Sequence, residues 1–457
     1  MSGKYFHHAL KFRKDVCIGC SHCMNVCPTQ AIRIHGGKAE LTDNRCVDCG
    51  KCYLVCPVGA IIVEQDDFSR IFEYEHRVAL IPSILPGQFP ESVSIRQICS
   101  VLLEMGFTDI FEVEHGTRIL KDAMIKYMDE RKDTRPLIST FCPAIVRLIQ
   151  VKFPNYTGNL IHLKASLDIA AQYYQKKLLD QGVDPEQIGI FYITPCAAKI
   201  AAIKSPVGDE HSAITGVINM DFIFNKVYTS VKQGFSGKKT CTIPRMQHLQ
   251  PEEMLWTLTD GEASLMPGRA LAIDEITNVI EFMEKIENEE ISDIDFLELR
   301  ACDQSCAGGI LTSGNRFFAV ERLRNNARMV KDQEKIRVTR ESKESIDDYA
   351  EELGKDLAVN KILPRSMDKL DEDMTRAMQK MQKVQEIMKT LPYVDCGLCG
   401  SPTCNALAED IAQGEAVVDQ CIFVQKKYEQ SGKLTPKESM EKMQKIWGHE
   451  KFEDSTN

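Results

Sequence analysis

Between residue 77 and about residue 327, short runs of aliphatic and branched residues alternate with segments whose apolar positions recur every three or four residues. The runs at 77–81, 137–140, 188–194 and 294–299 are too short for helices and predict buried strands. Segments 94–105, 144–151 and 163–179 carry the helical period, and Gly182 closes the last of them. Strands alternating with helices predict an α/β body of parallel sheet and crossover helices. From about 321 to 361 the chain is dense in charge and reads as helix. Then Met367, Leu370, Met374, Met378, Met381, Val384, Met388 and Leu391 fall at threes and fours, until Pro392 ends the pattern. One apolar stripe predicts a helix packed on the body of the protein or on a second copy, in preference to a methionine ligand set.

The two ends lack this alternation and carry cysteine. Of eighteen cysteines, sixteen fall into sets of eight, four and four, leaving Cys99 and Cys241. The N-terminal set is an internal repeat: Cys17, Cys20, Cys23, Cys27 and Pro28 recur 29 residues later as Cys46, Cys49, Cys52, Cys56 and Pro57. The flanks repeat too, Ala31-Ile32-Arg33-Ile34 against Ala60-Ile61-Ile62-Val63. Three closely spaced thiolates suit three corners of a 4Fe–4S cube, and in this spacing the cysteine before proline serves the other cube. Cys17, Cys20, Cys23 and Cys56 should therefore hold one cube, and Cys46, Cys49, Cys52 and Cys27 the other. Zinc explains two interleaved sets poorly. His22, inside the first set, reads as a surface residue tuning potential, since four thiolates already suffice.

The last set is Cys396, Cys399, Cys404 and Cys421, with Gly397 and Gly400 letting backbone approach a cluster sulfur. A further 4Fe–4S cube is expected there, and zinc, which uses similar spacings, is the alternative. The middle set, Cys142, Cys196, Cys302 and Cys306, is spread over three loops, each after an expected strand. Sites in α/β sheets form beyond the carboxyl ends of strands, so these four could converge on one buried site.

Charge and length narrow the classes. The net charge of −10 argues against nucleic acid as the main partner. No run approaches the eighteen apolar residues of a membrane span. Residues 1–10 have two histidines and no apolar signal core, so a cytoplasmic protein without membrane attachment is expected. Reduced, clustered thiols there mean metal rather than disulfides. The 457 residues divide into expected segments: 1–70, a two-cluster domain; 75–330, the α/β core; 331–390, a helical linker; 391–425, a C-terminal 4Fe–4S domain; and 426–457, a polar helical tail.

The first segment resembles a bacterial two-cluster ferredoxin. The last set resembles the 4Fe–4S module of the corrinoid iron–sulfur protein of acetyl-CoA metabolism, a motif also found at the end of some hydrogenase-like proteins. The core resembles the iron-only (di-iron) hydrogenases, which have three signature loops. The first, commonly Thr-Ser-Cys-Cys-Pro, is here Ser139-Thr140-Phe141-Cys142-Pro143. The second, Met-Pro-Cys-x-x-Lys-x-x-Glu, is Thr194-Pro195-Cys196-Ala197-Ala198-Lys199-Ile200-Ala201-Ala202. The third, Met-Ala-Cys-x3-Cys-x-x-Gly-Gly, is Arg300-Ala301-Cys302 through Cys306 to Gly308-Gly309. The resemblance covers residues 1 to about 330 in order. It implies a ferredoxin-like α+β N-terminal domain, a two-lobed α/β core with parallel sheets, and a small helical C-terminal module.

The resemblance also implies chemistry. Cys142, Cys196, Cys302 and Cys306 match the ligands of a cube, and Cys306 matches the cysteine bridging it to a di-iron subsite bearing CO, CN and a dithiolate, the two parts forming the H-cluster. Lys199 matches the lysine that hydrogen-bonds a cyanide, and Pro195 stands beside the subsite. The relay cysteine of the family is replaced by Phe141 and its relay glutamate by Ala202; two further glutamates of the path are expected to fall on Lys121 and Met124. Arg300 and Thr194 replace methionines. Metal ligands kept and proton relay lost resemble the sensory branches of the family, in an anaerobic setting. The implied function is slow H2 oxidation or evolution, with electrons passing through 4Fe–4S clusters to a redox or signalling partner; a homo-oligomer is compatible with the striped helix. Two alternatives are an ordinary bidirectional hydrogenase using another proton route, through Arg300, Thr194 or water, and a non-enzymatic iron–sulfur assembly or electron-transfer protein without the di-iron subsite.

Overall fold

The computed structural model describes residues 6–208, 211–233, 249–334, 345–365 and 373–453. Cys241, Met367 and Leu370 lie outside them. The chain forms two compact units. One takes residues 64–364 with the first nine residues; the other joins 10–63 to 365–457. The five segments expected along the chain are thus grouped as two.

The larger unit is α/β with two parallel sheets. Its seven strands are β5 (His76–Ile81), β6 (Asp109–Glu112), β7 (Leu137–Ile138), β8 (Ile188–Thr194), β9 (Gly216–Asn219), β10 (Ala270–Ile273) and β11 (Phe296–Leu299), β1 to β4 belonging to the smaller unit. One sheet has the order β6-β5-β8-β9 and the other β10-β11-β7. Every pair in both is parallel. β8 is buried along its whole length. Its alternate residues enter two different cores: Ile190 and Tyr192 one, Phe191 and Ile193 the other. A strand covered on both faces needs an unbroken apolar run, which is why β5 and β8 stand out in the sequence. β6, β9 and β10 are four-residue strands at sheet edges, and the apolar pattern does not mark them.

The expected helices appear as Ile95–Glu104, Pro143–Lys152 and Ser166–Asp180. Ser94 and Gln97 close a capping box on the first, and Pro143 sits in the first turn of the second, immediately after Cys142. The charge-dense stretch gives a helix at Arg316–Glu334 and a shorter one at Ala350–Lys355. No helix among the described residues is long and apolar enough to cross a membrane.

In the smaller unit β1 (Leu10–Phe12) pairs with β4 (Ile61–Val63), and β2 (Ile32–His35) forms a hairpin with β3 (Lys38–Leu41). The repeat is visible in two short helices, His22–Asn25 and Lys51–Leu54, each carrying the third cysteine of its set. Residues 373–453 fold onto this framework. Ile34 N donates to Gly400 O at 2.8 Å, and Gly36 and Gly37 N donate to the carbonyls of Lys445 and Ile446 at 3.0 and 2.9 Å. Gly400, at φ +82°, has no room for a Cβ because the Ile34 carbonyl fills it. Arg33 grips Asp410 with two hydrogen bonds of 2.7 and 3.1 Å, and Arg45 reaches Glu409 at 2.5 Å. The tail, which gave no chemical signal in sequence, is therefore part of the ferredoxin-like unit. The lower half of the methionine-striped helix, Met374–Met388, packs Val384, Ile387 and Met388 on Leu407 and Ala408, whereas Met378 and Met381 are exposed.

Candidate active site and metal centres

In the smaller unit, local turns deliver the thiols. Cys17, Cys20, Cys23 and Cys56 line one cavity of about 20 Å³, so a cysteine of the second repeat faces three of the first. Burial pushes the Cys23 thiol up to about 12, and Cys17, Cys20 and Cys56 push the same way. Around the second set, burial raises Cys49 to about 12 with Cys27 adding to it, and Cys52 is raised by burial, Cys49 and Cys27. Crowded thiols that resist losing protons are what a cationic cluster would relieve, because iron supplies the missing positive charge. At the other end of the chain, burial raises the Cys399 thiol to about 11, with Cys421 and Cys396 contributing. Cys404 and Cys421 are buried in the same small core, and Asp395 Oδ1 accepts from Cys404 N at 2.6 Å. These donor sets fit soft-metal clusters; Cys99, buried in the larger unit's core, lies in none of them.

The larger unit assembles its site from loops distant in sequence. Cys142 follows β7, Cys196 follows β8, and Cys302 and Cys306 follow β11, all beyond carboxyl ends of strands. Burial pushes the Cys196 thiol up to about 12; Lys199 pulls it down, while Cys306 and Cys142 push it up, so the three loops meet. Cys142 is raised by burial, against backbone N–H bonds from Ile145 and Ala301. The loops also lock one another. Pro195 O accepts from Leu311 N at 3.0 Å, and a Cβ on Gly309 would stand 2.6 Å from that same oxygen. Thr194, fully buried, donates its hydroxyl to Cys196 O at 3.0 Å and accepts from Cys196 N at 3.3 Å, holding the turn. Thr194 therefore shapes the second loop.

A cavity of about 130 Å³ opens beside these cysteines, lined by Phe141, Lys199, Ala202, Glu114 and Arg147 among others. Lys199 is buried, its Nζ 3.3 Å from Tyr192 Oη and 4.6 Å from the Phe141 ring centroid. Burial works against its charge, yet Tyr192, Cys306 and Cys196 together hold its pKa above the ordinary lysine value. The guanidinium of Arg300 lies 3.8 Å from the centroid of the same Phe141 ring. Arg300 is almost wholly buried and pairs with Glu262 at 2.8 Å and Glu298 at 3.1 Å. Those carboxylates raise its pKa against burial, so Arg300 stays protonated and is unsuited to passing a proton on. Glu262 also accepts the Ser139 hydroxyl at 2.7 Å, tying the first loop to the third.

Lys121 and Met124 do not lie in the cavity wall among the described residues. Lys121 pairs near the surface with Glu252 at 3.3 Å, and Met124 is buried in the apolar core. Two acidic groups line the wall, half-buried Asp168 and fully buried Glu114, and the sequence reading missed Glu114. Its signal was there: Glu112 and Glu114 bracket the end of β6, beside β5, where the crevice must open.

The site fits a cluster with an anionic inorganic extension. Cys142, Cys196 and Cys306 converge, three buried cations, Lys199, Arg147 and Lys164, line the cavity, and among the described residues Arg300 Nη1 and Ser305 Oγ are among the buried polar atoms without a hydrogen-bond partner.

Comparison with known proteins agrees at the level of the fold and the iron–sulfur modules. Residues 75–225 match the family model "Iron only hydrogenase large subunit, C-terminal domain", residues 16–60 "4Fe-4S dicluster domain", and residues 391–423 "Putative Fe-S cluster". A variant of FeFe-hydrogenase HydA1 from Chlamydomonas reinhardtii superposes with a TM-score of 0.50 at 12% identity, covering 66% of this chain and 98% of that one. A component of the ion-translocating oxidoreductase complex of Rhodobacter capsulatus is 55% identical over 38 residues, 8% of this chain and 20% of its own length. The large subunit of the corrinoid/iron-sulfur protein of Moorella thermoacetica is 51% identical over 39 residues, 8% of this chain and 9% of that one. The chain thus spans a fifth or less of the curated relatives it matches.

Proposed function

We propose that this iron-only hydrogenase-like chain is a low-turnover di-iron hydrogenase of sensory type, which interconverts H2 with protons and electrons and hands the electrons to a redox or signalling partner. The observation that carries the reading is the convergence of Cys142, Cys196 and Cys306 with Lys199 and Arg300, next to a cavity that Lys199 and Phe141 line. Cys142, Cys196, Cys302 and Cys306 would hold the cube, and Cys306 would bridge to the di-iron unit, which when bound supplies the metal chemistry that cleaves or forms H2. Lys199 offers an ammonium to a cyanide of that unit; a charge-assisted bond in a dry pocket is strong and directional. Phe141 packs over the pocket and excludes water. Neither Phe141 nor Ala202 can accept a proton. Positioned acid–base groups typically contribute ~10²–10⁴-fold to rate, so losing two supports slow turnover.

Electrons would travel through three further cubes. Within the smaller unit, Gly397 stands against Met24, beside Cys23, and Thr403 bonds Gln30 at 3.2 Å, just after Cys27. That packing supports the C-terminal cube as a port on the ferredoxin-like unit, toward the partner. The reading is tested by maturing the protein with the di-iron unit and recording its infrared spectrum and its hydrogen turnover. Carbonyl and cyanide bands with slow turnover are expected. Fast turnover would favour an ordinary bidirectional enzyme, and no such bands would favour an electron-transfer or assembly protein.

A further inference from the structure

Glu114 is 1% exposed and shares the cavity wall with Lys199. Its Oε2 accepts from Ser83 N at 2.8 Å. Ser83 Oγ is 3.0 Å from Thr257 Oγ1, and the Thr257 carbonyl accepts from Cys306 N at 3.3 Å. Glu114 is thus anchored to the frame that carries the third cysteine loop. The next residue in the chain is buried His115, whose Nδ1 is 3.8 Å from Glu253 Oε2, and Glu253 is close enough to raise the pKa of Glu114. Glu253 in turn feels Arg118, Asp347 and Glu252. Arg118 and Asp347 form an ion pair with 46% and 42% of their side chains exposed, so this line of groups reaches solvent.

We propose that Glu114, His115 and Glu253 form a proton relay from the cavity to the surface, replacing the thiol–carboxylate route that Phe141 and Ala202 interrupt. The inference rests on the hydrogen-converting reading above. Each H2 oxidised yields two protons and two electrons; the electrons leave through the cubes to the redox partner, and the protons leave one at a time through Glu114. In evolution both flows reverse.

The electrostatics suit the task. Burial lifts Glu114 to about 8, against the Ser83 N–H and Lys199 and with Glu253 adding to it. Burial lifts Glu253 to about 7, against the Gln250 N–H and Arg118 and with Asp347 and Glu252 adding to it. Glu112, at the end of β6, is lifted to about 8 by burial, Glu114 and Glu253, and completes the charged set facing the relay. Groups that change protonation near neutrality give and take protons without a large uphill step. Lys199 is the cavity-side cation that lowers the pKa of Glu114, with Arg147 and Lys164 in the same wall, and Arg118 is the cation on the solvent side. This arrangement also accounts for a core that would turn over slowly without being proton-sealed.

Two readouts test it. The first uses the whole chain with its cubes and without the di-iron unit: the infrared difference between wild type and Glu114→Gln should isolate one protonated carboxyl band lost at a midpoint near pH 8, while the bands of Glu112 and Glu253 persist in both proteins. In Lys199→Gln the same midpoint should rise, because a stabilising cation is gone. The second uses the loaded protein: Glu114→Gln should lower hydrogen turnover about 10²-fold or more with carbonyl and cyanide bands retained, and Glu114→Asp should recover part of it. Glu253→Gln should lower turnover in the same direction. Turnover unchanged in both Gln variants, or carboxyl titrations identical in wild type and Glu114→Gln, overturns the relay. Missing carbonyl and cyanide bands in the loaded wild type would contradict the hydrogen reading itself, which the first readout does not need.

Discussion

The two units gather cysteines in opposite ways. In the ferredoxin-like unit turns a few residues long bring three thiols of each set together, and the fourth comes from the other repeat or from beyond one short helix. In the α/β unit, whole strand–helix units separate Cys142, Cys196 and Cys302, and two parallel sheets must form before the loops meet. Under the proposed function the first arrangement would pass electrons. The second surrounds its thiols with Lys199, Arg300, Glu262, Glu298 and Glu114, all buried, fixed charges that would suit moving protons and holding an anionic group.

The sharpest break between the units is expected from single cysteine changes. Cys306→Ala should abolish the carbonyl and cyanide bands while the cubes of the other unit persist. Cys399→Ser should do the reverse, removing one cube from a total of about 18 irons and leaving the bands intact. Iron analysis beside infrared and paramagnetic resonance spectra checks both; zinc in place of the lost iron would reassign the C-terminal set.

Lys199→Ala comes next in size. It should lower retention of the di-iron unit about tenfold or more, with cube content unchanged, since only one charge-assisted bond is lost. Unchanged infrared occupancy would remove Lys199 from that role.

Phe141→Cys with Ala202→Glu sharpens the comparison from the other side. If protons limit the α/β unit, the double variant should raise turnover by roughly 10²-fold, as positioned acid–base groups do. The added carboxyl would share the cavity wall with Glu114 and Lys199. No gain would place the limit in electron transfer or in the gas reaction.

What was legible in the sequence follows the same division. The cysteine repeat and the long, doubly covered strands β5 and β8 are local patterns, and local patterns survive in sequence. The α/β core with parallel sheets follows from them. The edge strands β6, β9 and β10 were missed because four residues are too few for a period to stand out. Glu114 was missed for a related reason. Its meaning comes from standing beside Ser83 and Lys199, which reach it from β5 and β8, and adjacency of strands is settled by the sheet and not by spacing. Arg300 shows the opposite error of emphasis: a charged residue in place of methionine suggested a proton carrier, but two glutamates hold it as a fixed cation. Of the two residues expected to stand in place of the family's upstream glutamates, Lys121 turns to the surface and Met124 into apolar core.

Smaller effects probe what joins the ends of the chain. Asp410→Ala leaves the Arg33 guanidinium, only 7% exposed, without its carboxylate, and should destabilise the ferredoxin-like unit by about 2 kcal/mol. Denaturant unfolding followed through cube absorbance would report it, and loss from the C-terminal cube first would show that the contact holds that module in place. A pH effect is expected in the α/β unit. The folded state holds the Glu112 proton to about pH 8 against a reference of 4.5, so its stabilising contribution is full below 4.5 and is lost as pH rises through 8. Glu112→Gln should therefore flatten the fall in thermal midpoint between those values; an unaltered fall would assign it elsewhere.

The most direct measurement of the central claim is the infrared spectrum of the whole protein matured with the di-iron unit, recorded with and without hydrogen. The account predicts carbonyl and cyanide bands that shift under hydrogen, with slow turnover alongside. A spectrum without those bands, from protein whose four cubes are fully loaded, would contradict it.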